Sequence, residues 1–221
     1  MPELIGKVIL QNVRLSYPHL HRPQTQKQDN GTETQKYSAG FLIPKAKLAT
    51  LIGIHQGKRL PIMEAIKAAS NEARAKVWGD NPEKWPKLPP DRLFIRDGDL
   101  FKADKAEYVG HHFINSSASV EDKPAVLTNR RDGNNNWIPA QPGQPGDCYG
   151  GCYVNAILAI WAQDNKYGKR LNAQTKAVQF YADGEAFGGG SVNVNEDFTD
   201  DLAGTTGSVG DFGSSDDNDL I

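Results

Sequence analysis

Apolar and polar residues alternate with a period of two along "CYVNAILAIWAQDN". Val154, Ala156, Leu158, Ile160 and Ala162 share one side, and Tyr153, Asn155, Ile157, Ala159, Trp161 and Gln163 share the other. This pattern predicts a strand with one core face, and its partner follows in "GKRLNAQTKAVQFYADG" across the turn "QDNKYGK". Extended segments also occur at 7–17, "KVILQNVRLSY", and at 36–44, "KYSAGFLIP", and predict a hairpin whose long connection is "PQTQKQDNGTETQ". Shorter strand-like pieces follow in "RLFIRDGDL", "EYVGHHFINSSAS" and "KPAVLT", with "RDGD" read as a turn. Helical periodicity occupies about 46–78, first in "AKLATLIGIHQ" and then in "LPIMEAIKAASNEARAKVW". There Pro61 suits a first turn, and Ile62, Ala65, Ile66, Ala69 and Ala73 form one stripe. Four prolines from Pro82 to Pro90 prevent that helix from continuing. Many short strands with one helical excursion predict a mainly β fold, a small barrel decorated with helices.

From about Gly188 the alternation disappears. The remaining residues are rich in Gly, Ser, Thr and Asp with few clustered apolar groups, which predicts a disordered acidic tail at 188–221 behind a folded domain at 1–187. The formal net charge of -2 hides this division: residues 1–182 hold all 25 Lys and Arg against 17 acidic residues, a balance of +8. Residues 183–221 hold ten acidic residues and no Lys or Arg, a balance of -10. A basic body with an acidic tail suits a polyanionic partner, although such a tail also serves solubility alone. No apolar run is long enough to cross a bilayer and the N-terminus lacks a signal-peptide pattern, so the expected compartment is cytoplasm, with no membrane partner. Two cysteines, Cys148 and Cys152, are too few for a disulfide framework.

Aromatic and basic residues recur together along the body. Tyr153 and Trp161 lie on the non-core side of their strand, where a flat ring either stacks on a base or packs beneath the helical insertion. Lys166, Tyr167, Lys169 and Arg170 crowd the following turn, within reach of a phosphate backbone. The first hairpin adds Arg14, Tyr17, Lys36 and Tyr37, while Phe41 and Ile43 are assigned to the core. These ten residues are the candidate nucleic-acid contacts. Enzyme readings have less support. The chain has no phosphate-binding Gly-rich loop, no nucleophile elbow and no H-E-x-x-H pair. Cys148 and Cys152 with His111 and His112 make a poor zinc motif and are read as packed thiols, and Asp97, Asp99 and Asp104 sit in a turn. No catalytic residue, metal or cofactor is therefore expected.

Several stretches, "VRLSYPHL", "KYSAGFLIPK" and "CYVNAILAIWAQDNKYGKRLNAQTKAVQFYADGEAFG", together with the acidic C-terminus, resemble a bacteriophage family of single-stranded DNA-binding proteins. The resemblance covers residues 5–188 and is most specific over 152–188. It implies an oligonucleotide/oligosaccharide-binding (OB) fold, a five-stranded Greek-key barrel with inserted helices, used in phage DNA replication and recombination. Replication proteins of this kind commonly end in acidic residues followed by apolar ones, and Asp216, Asp217, Asp219, Leu220 and Ile221 have that character without the usual terminal Phe. The expected protein is a non-enzymatic, sequence-independent single-stranded DNA binder in the cytoplasm of the infected host. Its tail would compete with DNA and recruit a polymerase or helicase, and a homodimer is left open. The rivals are a phage interaction protein that binds no DNA and a metal-dependent nucleic-acid enzyme.

Overall fold

β1 (Lys7–Lys27) runs through the centre of the sheet, flanked by β2 (Glu33–Pro44) and β9 (Tyr153–Asn165), both antiparallel to it. A computed structural model describes residues 5–27 and 33–187, so the tail at 188–221, including Asp216, Asp217, Asp219, Leu220 and Ile221, lies outside the described residues. β2 continues to β6 (His111–Ser119), and β9 turns through Lys166 and Tyr167 into β10 (Gly168–Ala182). The predicted alternation holds along β9 except at Ala159: Val154, Ala156, Leu158, Ile160 and Ala162 are buried, Tyr153, Asn155, Ile157, Trp161 and Gln163 keep some exposure, and Ala159, expected with the second set, is buried. Val8, Leu10, Phe41 and Ile43 meet the buried side of β9 in the main core.

Long strands stay continuous here because bulges bend them. Between the pairs Ser16–Gly40 and His19–Ser38, two residues of β1 oppose one of β2, and between Leu10–Ala156 and Val13–Val154 two oppose one of β9. Each bulge contains a residue at positive φ, Tyr17 at 44° and Asn12 at 53°. The added bend curls the sheet until β6 and β10 meet through side chains. Ser116 and Thr175 share a buried hydroxyl hydrogen bond, and Gln174 Nε2 donates to Asp122 Oδ2 at 2.9 Å.

The architecture is the mainly β, barrel-like one expected, of the OB type, with three differences from a plain five-stranded barrel. First, the sheet is not closed by a backbone ladder; side chains span the seam. Second, additional strands lengthen its edges: β5 (Ile95–Asp97) joins β6, and β7 (Ala125–Arg131) with β8 (Trp137–Pro139) joins β10. Third, the helical insertion expected over about 46–78 is helical only in its second half, apart from a single turn at Lys45–Lys47. Residues 52–61 form a hairpin, β3 (Ile52–His55) and β4 (Lys58–Pro61), and β3 pairs with β1. Gln56 and Gly57, at φ of 47° and 73°, make a two-residue turn with both central residues in the left-handed region. Gly53 lets this hairpin pass under the helix, since a Cβ there would fall 2.5 Å from Ala65 Cβ. Spacing alone favours a helix over this stretch, whereas the turn pair and the close approach select a strand. The connection expected between the first two strands is likewise mostly strand, for β1 extends to Lys27 and β2 begins at Glu33.

α1 (Ile62–Trp78) follows the predicted stripe, with Ile62, Ala65, Ile66, Ala69 and Ala73 all buried. Its small residues permit close packing, and Trp78 Nε1 donates to Asp164 Oδ2 at 3.1 Å, tying the helix end to the β9–β10 hairpin. The proline-rich segment then leads through Arg92 to β5 and the short α2 (Gly98–Phe101). The "RDGD" stretch is thus the end of β5 and an N-cap, in which Asp97 Oδ1 accepts from Asp99 N at 3.0 Å.

Candidate nucleic-acid interface

Along the seam between β6 and β10 lies a groove of about 530 Å³. β10 contributes Arg170, Asn172 and Gln174, β9 contributes Trp161 and Gln163, and the opposite wall carries Lys36 of β2 with Ser117 and Ser119 of β6. Arg92 and Arg96, from the segment entering β5, close one end. Four cations therefore line the groove with two carboxylates, and both carboxylates have cationic neighbours. Asp122 lies 3.6 Å from Lys176 Nζ, and Asp91 lies 3.7 Å from Arg92 Nε. Trp161 is 46% exposed among these groups, so its ring is available to a stacking partner.

The β9–β10 turn extends this surface. Asn165 Oδ1 accepts from Tyr167 N at 2.9 Å and from Gln163 Nε2 at 3.0 Å, which fixes the bend. Tyr167 is 67% exposed, with Lys166 Nζ 5.1 Å from its ring centre. Lys169 pairs with Asp164 at 3.2 Å, and Arg92 Nη1 donates to Tyr167 O at 3.4 Å. Cationic side chains thus run from the groove to the turn, with Asp164 beside Lys169 and Asp91 beside Arg92.

A second cavity, of about 380 Å³, adjoins the first, since Asn115 and Ser117 line both. The β1 bulge turns Tyr17 outward at its rim. The Tyr17 ring lies 6.5 Å from that of Tyr108 at 16°, with Lys105 Nζ 4.5 Å from its centre. Its hydroxyl donates to Glu107 Oε1 at 2.6 Å, and this hydrogen bond raises its pKa, so Tyr17 remains a neutral donor.

The ten residues selected from sequence do not all gather here. Lys36, Trp161 and Arg170 share the groove, Lys166, Tyr167 and Lys169 adjoin it, and Tyr17 belongs to the neighbouring cavity. Tyr37 is buried, only 7% exposed, and offers no free face to a base. The reason is parity: Tyr37, Ala39, Phe41 and Ile43 alternate onto the core side of β2, whereas Lys36 and Ser38 do not. Arg14 is held elsewhere. Its Nε donates to Gly151 O at 3.1 Å, its Nη2 donates to Glu185 O at 2.8 Å, and its guanidinium lies 4.2 Å from the Phe187 ring centre. Arg14 thus fastens the end of the described chain. Tyr153, eight residues before Trp161 and so roughly 26 Å away along an extended strand, lines a small separate recess with Arg14. Arg92, Arg96 and Asn115 belong to the site and escape a reading of local pattern, because only the fold brings the residues flanking the proline-rich segment to the β9–β10 turn.

The groups considered for metal chemistry are used structurally. Lys45 Nζ donates to Asp97 at 2.6 Å and to Asp99 at 2.7 Å, while Asp99 Oδ1 accepts from Gly110 N at 2.6 Å. Among the described residues, no group of three or more His, Cys, Asp or Glu is placed to hold a metal ion. Cys148 and Cys152 are buried free thiols; a hydrogen bond between them, with burial, raises the Cys148 pKa and keeps it protonated. Hydrogen bonds from Lys45 hold Asp97 and Asp99 below the usual carboxylate range. Groups of this kind contribute stability above their unfolded pKa and lose it as pH falls through the folded value. Lys45→Ala is therefore expected to lower stability near neutral pH, with the difference from wild type closing as pH drops below the ordinary value of 3.8. Urea unfolding across that range checks this, and a pH-independent difference contradicts it.

Residues 6–212 match the family model described as the Enterobacter phage Enc34 single-stranded DNA-binding protein. The chain belongs to this family. A curated relative, protein p50 of Acyrthosiphon pisum secondary endosymbiont phage 1, is 36% identical over 198 residues, covering 88% of this chain and 93% of that one. The single-stranded DNA-binding protein of bacteriophage Enc34 solved in complex with single-stranded DNA superposes with a TM-score of 0.62 at 31% identity, covering 83% of this chain and 90% of that one. The C-terminal truncation of the same Enc34 protein gives 0.61 at 31% identity, covering 82% and 88%. Within the Enc34 family match, the β6–β10 groove brings Trp161 together with Lys36, Arg92, Arg96 and Arg170.

Proposed function

We propose that the chain binds single-stranded DNA without catalysing a reaction, holding the strand in the groove between β6 and β10 as part of phage DNA replication or recombination. The observation that carries this reading is Trp161, half-exposed in a groove ringed by Lys36, Arg92 and Arg170, with Arg96 held at its end by the carbonyls of Leu93 and Asp91. Cations neutralise phosphates whatever the sequence, and an indole face stacks on any base. A duplex keeps its bases paired and stacked inside, so the same groove favours a single strand. Tyr167, Lys166 and Lys169 extend the path at the turn, and Tyr17 extends it at the neighbouring cavity.

The acidic segment beyond Gly188 competes for this surface. It sets a charge of -8 against a +6 balance over residues 1–188 and is covalently tethered, so its local concentration is high. Phe187, the last described residue, packs against the cluster of Leu42, Tyr108 and Phe113, and Tyr108 also lines the cavity beside the groove. Once DNA displaces the segment, its acidic and aliphatic residues Asp216, Asp217, Asp219, Leu220 and Ile221 become free to engage a replication protein such as a polymerase or helicase. Removing residues 189–221 is expected to raise affinity for oligo(dT) severalfold at low salt, with the gain fading as screening shortens the Debye length toward about 8 Å. Fluorescence anisotropy with oligo(dT) and a duplex of equal length tests the whole reading. Preference for the single strand supports it; equal binding, or none, overturns it.

A further inference from the structure

We propose that the cavity beside Tyr17 is a nucleobase pocket that reads the edge of one base, so that the chain discriminates between bases at one position of a strand it otherwise holds without regard to sequence. This rests on the β6–β10 groove being the single-stranded DNA path. The two adjoining cavities differ in chemistry. Lys36, Arg92, Arg96 and Arg170 line the groove, whereas among the described residues no lysine or arginine lines the cavity beside Tyr17. The nearby cation, Lys105, is held over the Tyr17 ring, and Glu107 accepts the Tyr17 hydroxyl at 2.6 Å. A phosphate gains little in such a place. A base meets the 47% exposed Tyr17 at the rim and gains hydrogen-bonding groups on the floor.

The floor of the cavity supplies hydrogen-bonding groups at defined positions. Ser38 pairs with Ser117 and Gly40 pairs with Asn115 across β2 and β6, while Ser16 of β1 lies opposite Gly40. Ser16 and Ser116 serve the fold: Ser16 Oγ shares a 2.9 Å hydrogen bond with Tyr108 Oη, and Ser116 Oγ donates to Ala39 O at 3.1 Å. Asn115 is exposed and Ser117 half-buried, and both border the groove and the pocket. A strand lying in the groove therefore passes directly over them. The Asn115 amide offers both donors and an acceptor, and the Ser117 hydroxyl offers one of each kind. Thymine and cytosine present opposite donor and acceptor patterns at N3 and at the exocyclic group on C4. In the proposed pocket the bound strand holds the Asn115 amide in one orientation, which pairs with one pattern and leaves the other unpaired, and an unpaired polar group costs more than a paired one returns.

The test compares oligo(dT) with oligo(dC) of equal length on the full chain, by anisotropy at one salt concentration. Dissociation constants are expected to differ by roughly threefold or more, the size of one hydrogen bond's net contribution. Asn115→Ala should bring the ratio close to one, with Ser117→Ala as a second variant. Trp161→Ala should weaken both oligonucleotides by a similar factor and keep the ratio. Equal affinities in the wild type overturn the proposal while leaving the groove reading intact, as does a ratio that both pocket variants leave unchanged. Failure of either oligonucleotide to bind at all overturns the groove reading and the pocket with it.

Discussion

Replacing Trp161 with alanine is expected to weaken binding of oligo(dT) by about 5- to 150-fold, the loss of one stacked base at about 1–3 kcal/mol. The ring is 46% exposed on a strand whose opposite side forms the core, so little packing is lost with it. Thermal unfolding should consequently change little, which separates this variant from Tyr37→Ala. Tyr37 is buried, and its truncation is expected to lower stability through the cavity it leaves. Anisotropy and a melting curve on both variants distinguish a contact that serves binding from one that serves the fold. Unchanged affinity in Trp161→Ala would remove the aromatic half of the proposed interface.

The double variant Lys36→Ala with Arg170→Ala is expected to alter how binding depends on salt. On single strands each phosphate contact adds about 0.7 to the slope of log affinity against log salt concentration, so losing two should flatten it by about 1.4. Arg14→Ala should leave that slope unchanged, because the Arg14 guanidinium is engaged by the carbonyls of Gly151 and Glu185 and by the Phe187 ring. Titrations at four or five salt concentrations measure all three slopes. If Arg14→Ala flattened the slope as the double variant should, the strand would have to pass along the recess that holds Arg14 and Tyr153.

What the sequence made legible follows the range of the physics involved. The period of two along 153–163 and the stripe on α1 are local, and both appear as read. Tyr37 was also within reach, since it shares its parity with Phe41 and Ile43, yet an aromatic beside Lys36 invites a functional reading when composition is weighed above periodicity. The hairpin at 52–61 shows a different limit: its apolar spacing fits a helix, and the positive φ of Gln56 and Gly57 decides against it. Arg92 and Arg96 mark the third. They reach the groove only because the proline-rich segment returns the chain to the β9–β10 turn, a long-range consequence of the fold with no local signature. The charge division between body and tail was plain in the composition, whereas the face carrying the charge needed the curl of the sheet.

Backbone hydrogen exchange on the intact chain, with and without saturating oligo(dT), tests the central claim most directly. New protection is expected over three stretches distant in sequence, 91–96, 115–119 and 161–174, which meet at the groove. Protection concentrated instead at 12–14, 47–51 and 153, the recess that holds Arg14 and Tyr153, would contradict the account.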